Sequence, residues 1–331
     1  MLEALRSRLR DIVARLFRRK PLPPGRFESG SKFSWRGWIA AGTWVWPARD
    51  YLLYIPKGYG GWHRRPLIVL MHGCKQTPED IAAASRIAAR ADANGWLVLL
   101  PRQTSKANPW SCWNWFDTAT SAGRGEAAIV VAQVAAVRRS YRVHPRKIYA
   151  VGMSAGGCLA AVLGVRHPAL FAGIVVHSGV ACGAASGALT AMRVLAHGAD
   201  TDYASIAADA RADAPRRALP IPLLAISGAS DTAVAEINTE QLVRQYLVLN
   251  GKLAPQSDAL PRADRETTST LAAGRTMTVS DYRDGARLLV RKIRVTGLAH
   301  AWSGGDDAFP YNDPKPPDAT ALLAEFVAGN S

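Results

Sequence analysis

The stretch Lys147–Gly164, KIYAVGMSAGGCLAAVLG, changes character halfway along. Ile148, Tyr149, Ala150 and Val151 make a short apolar run with β-branched and aromatic side chains, the pattern of a buried strand. Ala155 to Gly164 is rich in small residues and leucine, the pattern of a helix lying close on something flat. Between the two, Gly152-Met153-Ser154-Ala155-Gly156 matches G-x-S-x-G. In that motif the serine occupies a sharp strand-to-helix turn that only small neighbours accommodate, so its hydroxyl stands exposed at the sheet edge. Ser154 is therefore a candidate nucleophile, and the unit that carries it belongs to an α/β sheet.

On either side of this unit the chain alternates. Candidate strands fall at 40–46, 51–56, 67–72, 96–101, 147–152, 173–177, 223–228 and 287–296, and candidate helices at 78–94, 126–141, 155–167, 234–250 and 318–328. Strand and helix in succession predict a mostly parallel central sheet covered by helices on both faces. The first strands come without helices between them and are expected to form an antiparallel lead-in. With 331 residues, one core with decorations is the expected organisation. Residues 1–36 read as a basic amphipathic N-terminal extension and 37–331 as the catalytic domain. Residues 183–219 are an insertion between two sheet strands, either a short cap over the site or a passive surface excursion.

In the extension, Leu2, Leu5, Leu9, Ile12, Val13 and Leu16 recur at helical spacing with arginines between them, and the proline-rich KPLPPG follows. Residues 2–17 suit either weak contact with an anionic membrane surface or a helix packed on the body. They lack the continuous apolar centre of a secretory signal. No apolar run in the chain approaches the roughly 20 residues that span a bilayer. A hydrophobic fraction of 48% marks a globular rather than a disordered chain. The net charge of +15 attracts polyanions, yet no recognition helix, zinc spacing or aromatic RNA-binding motif accompanies it, and nucleic acid is not an expected partner. The four cysteines, Cys74, Cys112, Cys158 and Cys182, show no C-x-x-C spacing, so no metal site is expected, and three disulfide pairings are open.

Serine attacks only when a base takes its proton, and the base needs a carboxylate to fix its tautomer. In α/β-hydrolase order the acid and then the histidine follow the serine. LLAISGASDTAV ends a strand at Gly228 and supplies Asp231 just beyond it, where catalytic residues collect. IRVTGLAHAWSGG supplies His300 in a glycine-bounded loop. Asp200, Asp202, Asp209, Asp213 and Asp258 also follow the serine, but only Asp231 directly follows an apolar strand. An oxyanion needs two backbone N–H donors. Ala155 offers one, and Cys74, after the strand that ends LIVLMHG, offers the other. Trp110, Trp113, Trp115 and Trp302 fall in loops beside these elements; the last three are candidates to hold substrate, or else they pack under long loops.

Together the ordered segments YIPKGYGG, LIVLMHGCKQTPED, CWNWF, YAVGMSAGGCLAA, LLAISGASDTAV, GLAHAWSGG and DPKPPDATALLAEF resemble the poly(3-hydroxybutyrate) depolymerase family of α/β-hydrolase esterases, whose relatives include feruloyl and acetylxylan esterases. The likeness runs from about Tyr51 to Val327. It implies a serine hydrolase acting on carboxylic esters, small or polymeric, with Ser154, Asp231 and His300 as triad, Cys74 and Ala155 as oxyanion donors, and no cofactor. A peptidase, a thioesterase or a noncatalytic surface-binding module are the alternatives. The likeness also implies a Cys74–Cys112 disulfide, which leaves Cys158 and Cys182 as a second pair. One departure is that Ser227-Gly228 stands where the family's acid segment usually carries His-Gly. Extracellular or periplasmic location is the family's implication, and cytoplasmic location is the alternative, since no signal is recognisable.

Overall fold

The computed structural model describes residues 24–33, 48–215, 218–257 and 259–330. The segment expected as a basic helix, residues 2–17, and the candidate strand at 40–46 lie outside the described residues. Strands β1 (Arg26–Phe33), β2 (Ala48–Ile55), β3 (Arg65–Met71), β4 (Leu97–Pro101), β5 (Val143–Met153), β6 (Gly173–His177), β7 (Leu223–Gly228), β8 (Arg265–Thr270), β9 (Thr276–Asp284) and β10 (Arg287–Val295) form one sheet, ordered β1-β2-β4-β3-β5-β6-β7-β10-β9-β8. Its centre, from β4 through β10, is parallel. Antiparallel strands flank it at both ends.

The antiparallel lead-in is as expected, but its extent is not. Arg26–Phe33 pairs along its whole length with β2, so the N-terminal extension expected for residues 1–36 includes a strand of the sheet. The opposite edge also departs from expectation. β8 is exposed at every position and has no apolar alternation, so only its ladder to β9 makes it a strand.

Both faces of the sheet are covered, and the register of β3 shows it. Leu67, Val69 and Met71 enter one apolar cluster, while Ile68 and Leu70 enter the other. Alternate side chains of a strand point to opposite faces, so a strand apolar at every position must be buried twice. The helices that do the covering are α1 (Pro78–Ala84), α2 (Ile87–Asn94), α3 (Thr118–Ser121), α4 (Gly125–Ser140), α5 (Ala155–Arg166), α6 (Ala188–His197), α7 (Tyr203–Asp213), α8 (Glu236–Leu249) and α9 (Ala319–Gly329).

One helix was expected over 78–94, and two are found. α1 starts with a reciprocal cap: the Thr77 hydroxyl accepts from the Asp80 N–H, and the Asp80 carboxylate accepts from the Thr77 N–H. It stops where Arg86 takes a left-handed φ of 53°. The carbonyls freed there have tertiary partners, since Ala84 accepts from the Asp306 N–H at 2.9 Å and Ser85 from the Thr320 hydroxyl at 2.7 Å. Backbone groups satisfied from outside no longer require a continuous helix. The insertion at 183–219 contains α6 and α7, and Ala235 N–H bonds to the Leu195 carbonyl, which ties the end of α6 to the loop after β7.

Helix α5 is buried from Ala155 to Val165, all round, which explains its small and apolar composition. Its first turn sits against the sheet with no room for side chains. A Cβ on Gly156 would lie 2.2 Å from the Met71 carbonyl oxygen, and one on Gly152 would lie 2.2 Å from the Gly156 carbonyl oxygen. These neighbours are backbone and cannot swing away. Gly156→Ala is therefore expected to cost about 1–3 kcal/mol by overpacking; a urea midpoint equal to that of the parent chain would show that the seat is looser than described.

Candidate active site

Ser154 links β5 to α5 with φ 55° and ψ −125°, outside the regions that a serine ordinarily occupies. Its N–H donates to the His177 carbonyl at 2.9 Å and its carbonyl accepts from the Cys158 N–H at 2.9 Å, so both flanking peptides are held. The hydroxyl is left at the mouth of a cleft of about 200 Å³ lined by Gly73, Cys74, Lys75, Gln76, Met153, Ser154, Ala233, His300 and Tyr311. Two larger grooves open elsewhere among the described residues, but neither is lined by a serine, threonine or cysteine.

Asp231 and His300 come from loops after β7 and β10, and the two loops are stitched together. Ala229 N–H donates to the Val295 carbonyl at 2.9 Å and Ser230 N–H to the Leu298 carbonyl at 3.0 Å. A Cβ at Gly228 would fall 2.1 Å from the Leu298 oxygen, so glycine at this position allows the approach. That is a physical reason for the glycine in Ser227-Gly228. His300 Nδ1 then lies 2.8 Å from Asp231 Oδ2. The other carboxylate oxygen accepts the N–H groups of Ala233 at 2.9 Å and Val234 at 2.8 Å.

Burial of Asp231 works against its charge. The His300 hydrogen bond and positive charge, the Val234 amide and the Ser178 hydroxyl together outweigh it, and the carboxyl is held below its ordinary value. An ionised Asp231 places the mobile proton of His300 on Nδ1 and leaves Nε2 as the basic nitrogen. With side-chain exposures of 2% for Asp231 and 15% for His300, only the imidazole reaches solvent. Among the described residues the Ser154 hydroxyl makes no hydrogen bond within 3.5 Å; it shares the cleft with His300. Catalytic hydrogen bonds are often long before substrate binds. Two of the other downstream aspartates have other occupations. Asp200 pairs with Arg193, and Asp202 caps α7. Asp258 lies outside the described residues.

Both oxyanion candidates stand beside Ser154. Ala155 is the first residue of α5, where an N–H has no partner within the helix. Cys74 belongs to the loop after β3, and its N–H has no hydrogen-bond partner among the described residues. Cys74 is disulfide-bonded to Cys112. Cys158 and Cys182, expected as a second pair, are free thiols, which corrects that expectation. Both are fully buried, and the Cys182 thiol donates to the Ser121 carbonyl at 3.5 Å.

The tryptophans are a second correction. Trp113, Trp115 and Trp302 are 0%, 4% and 1% exposed and do not line the cleft, so they pack beneath the loops rather than hold substrate. Trp302 stacks on His177 at 5.4 Å and donates its indole N–H to Thr320, and Trp113 lies 5.5 Å from His72. Trp110 is 63% exposed. The cleft instead presents Tyr311, edge-on to His300 at 6.4 Å, and Gln76. Neither is marked by local pattern, because each reaches the site from a loop whose course depends on distant contacts. Among the described residues no group of His, Cys, Asp and Glu side chains is placed to hold a metal ion.

A parallel sheet carrying a nucleophile turn after its fifth strand, with acid and histidine on later loops, is an α/β-hydrolase. An acetyl xylan esterase from Aspergillus awamori shares that fold with a TM-score of 0.64 at 18% identity, over 83% of this chain and 94% of the other. The family described as Esterase PHB depolymerase matches residues 49–268, and the chain belongs to it. Poly(3-hydroxyalkanoate) depolymerase C of Paucimonas lemoignei is 29% identical over 200 residues, 60% of this chain and 48% of the relative. Poly(3-hydroxybutyrate) depolymerase of Ralstonia pickettii is 26% identical over 301 residues, 86% of this chain and 57% of the relative. The chain thus spans about half the length of these relatives.

Two buried histidines near the site set the response to acid. Burial lowers His72 to about 4, with the Gly73 carbonyl opposing and Arg102 assisting, and burial lowers His177 to about 3, with His300 assisting and Asp231 opposing. Both are neutral in the folded chain and bind protons on unfolding below their ordinary value of 6.5. The unfolded state then holds more protons, so stability is complete above about pH 6.5 and falls below it, by up to roughly 1.4 kcal/mol per group per pH unit. Urea unfolding between pH 7.5 and 5 should show this decline before carboxylates titrate; a flat profile contradicts the buried neutral state of both rings.

Proposed function

We propose that the chain is a serine esterase that cleaves carboxylic esters through an acyl-enzyme on Ser154. The observation that carries this reading is the meeting, in one cleft, of a serine in a strained turn with a histidine whose far nitrogen is held by an ionised carboxylate. His300 Nε2 takes the Ser154 proton as the oxygen attacks the ester carbonyl, and the imidazolium that forms is stabilised by Asp231. The tetrahedral oxyanion is received by the Cys74 and Ala155 N–H groups. Collapse expels the alcohol, which takes the proton from His300. Water then repeats the sequence on the acyl-enzyme and frees the acid and Ser154.

Family membership and the names of the curated relatives support an ester rather than an amide or thioester substrate, of the polyhydroxyalkanoate, feruloyl or acetyl kind. A cleft of about 200 Å³ is small beside ordinary ligand sites, which favours a short acyl group at the reacting carbon. The Cys74–Cys112 disulfide supports action in an oxidising compartment, extracellular or periplasmic. No helix among the described residues is long and apolar enough to cross a membrane.

The reading is tested by comparing hydrolysis of short acyl esters, feruloyl esters and polyhydroxybutyrate films with matched amides and thioesters. Ser154→Ala should lower ester turnover by at least roughly 10³-fold while the chain stays folded, and a folded variant that keeps most activity would end the reading. Asp231→Asn should keep the shape of the site but release the His300 tautomer, at a cost on the order of 10⁴ in turnover. A loss below about tenfold would assign the acid to another residue.

A further inference from the structure

We infer that the end of the sheet opposite the cleft is a docking surface for an anionic lipid membrane, built from the basic residues of two neighbouring segments and one exposed tryptophan. β3 and β5 run parallel, so both begin at this end and finish at the cleft. The loop that enters β3 carries Trp62 and Arg64, and the end of α4 with the start of β5 carries Arg138, Arg139, Arg142, Arg146 and Lys147. The two segments are joined directly. Arg65 N–H donates to the Arg142 carbonyl at 2.7 Å, and Arg142 N–H donates to the Tyr59 hydroxyl at 2.8 Å. Lys147 is half-buried and the arginines of the cluster are exposed.

None of these cations forms an ion pair with a described carboxylate, whereas Arg90, Arg102 and Arg193 elsewhere on the surface each have an acidic partner. The carboxylates bonded to the two segments are occupied. Glu28 accepts from the Tyr141 hydroxyl and pairs with Arg26, and Asp92 accepts from the Tyr54 hydroxyl and the Lys57 N–H. The charges converge on one place: burial, then Lys147, Arg146 and Arg64, hold the His144 ring below its ordinary value. Helix polarity accounts for Arg138 and Arg139, which lie in the last turn of α4. It does not account for the others, whose mutual repulsion has no compensation among the described residues. Trp62 stands beside them 87% exposed, on a turn where Gly58 and Gly61 take left-handed φ of 75° and 74°. At a bilayer surface an indole settles at the level of the headgroups while arginines around it meet lipid phosphates. A single-stranded nucleic acid asks instead for successive aromatic platforms, and this surface offers one exposed tryptophan. The strand from Lys147 to Met153 spans roughly 20 Å. Lipid bound at its start therefore leaves the cleft at its finish open and facing away from the membrane.

The test is co-sedimentation of the 331-residue chain with vesicles of phosphatidylcholine, alone or mixed with phosphatidylglycerol, at low and at physiological salt. Two variants lose the same charge. One carries Arg138→Gln, Arg142→Gln and Arg146→Gln; the other carries Lys106→Gln, Arg124→Gln and Arg193→Gln, at exposed positions outside the cluster. A cation near an anionic surface contributes roughly fivefold in affinity, so the first variant should bind phosphatidylglycerol vesicles about 100-fold more weakly and the second within about threefold of the parent. Trp62→Ala should weaken binding roughly tenfold. Hydrolysis of a soluble ester should stay at the parent level in all three, since no altered residue lines the cleft. If the first variant does not fold, Arg146→Gln with Lys147→Gln replaces it, with about 25-fold expected. Absence of vesicle binding by the parent chain, equal losses in the two charge variants, or equal binding to phosphatidylcholine alone overturns the proposal. Tighter binding to a single-stranded oligonucleotide than to the vesicles assigns the surface to nucleic acid and overturns it as well.

Discussion

The close seat of the first turn of α5 against the carbonyl ends of β3 and β5 is the constraint from which the site follows. At this seat backbone meets backbone, with the Met71 and His72 oxygens less than a side chain away from Gly156. Two consequences come together. The chain must turn sharply from strand to helix, which forces Ser154 into its strained φ and ψ and lifts its hydroxyl clear of the sheet. The turn also lies beside the loop that leaves β3, so the unpaired N–H of Ala155 and that of Cys74 stand near the same point. The proposed nucleophile and oxyanion donors are placed by one contact between two elements.

The proposed acid and base depend on a second close approach, that of the loops after β7 and β10. These strands are parallel neighbours, so their ends emerge side by side. The bonds from Ala229 and Ser230 to the histidine loop convert that adjacency into a fixed distance, and the absence of a side chain at Gly228 lets it close. Asp231 is then nearly closed off from solvent, where its charge survives only because hydrogen bonds surround it. A buried anion in this position is costly to assemble. It offers His300 a partner that water does not displace.

Around these two contacts buried polar groups tie the loops to the sheet and its helices. Gln103 and Glu126 bind the disulfide loop, and Arg49 approaches Glu126 at 3.9 Å. Burial raises the Glu126 carboxyl in spite of these partners. On the other side, Arg275 joins the start of β9 to Asp313 and to the Gly297 carbonyl, bracing the segment that carries His300 and Tyr311. Rigid loops over a rigid sheet are what a site needs if its donors are to be in place before substrate arrives.

The proposed triad residues Ser154, Asp231 and His300 were candidates in the sequence because each lies a few residues or fewer beyond an apolar run, and an apolar run that stops at glycine or polar residues marks where a parallel strand delivers the chain to the sheet edge. The fold class was legible for the same reason, since strand and helix periods are local. What the amino-acid order left open concerned groups whose surroundings are distant in the chain. Tryptophans in loops read alike whether they face a cleft or the interior, and it is the tight closure of those loops that buries Trp113 and Trp302. Cys158 and Cys182 differ from the bonded pair only in where α5 and the β6 loop carry them, and β8 is a strand only because β9 lies beside it. His72 shows the division most clearly: its identity and place at the end of β3 are written in the sequence, but the partners of its two nitrogens, a peptide one residue ahead and another 31 residues away, exist only once β3 and β4 lie parallel and adjacent.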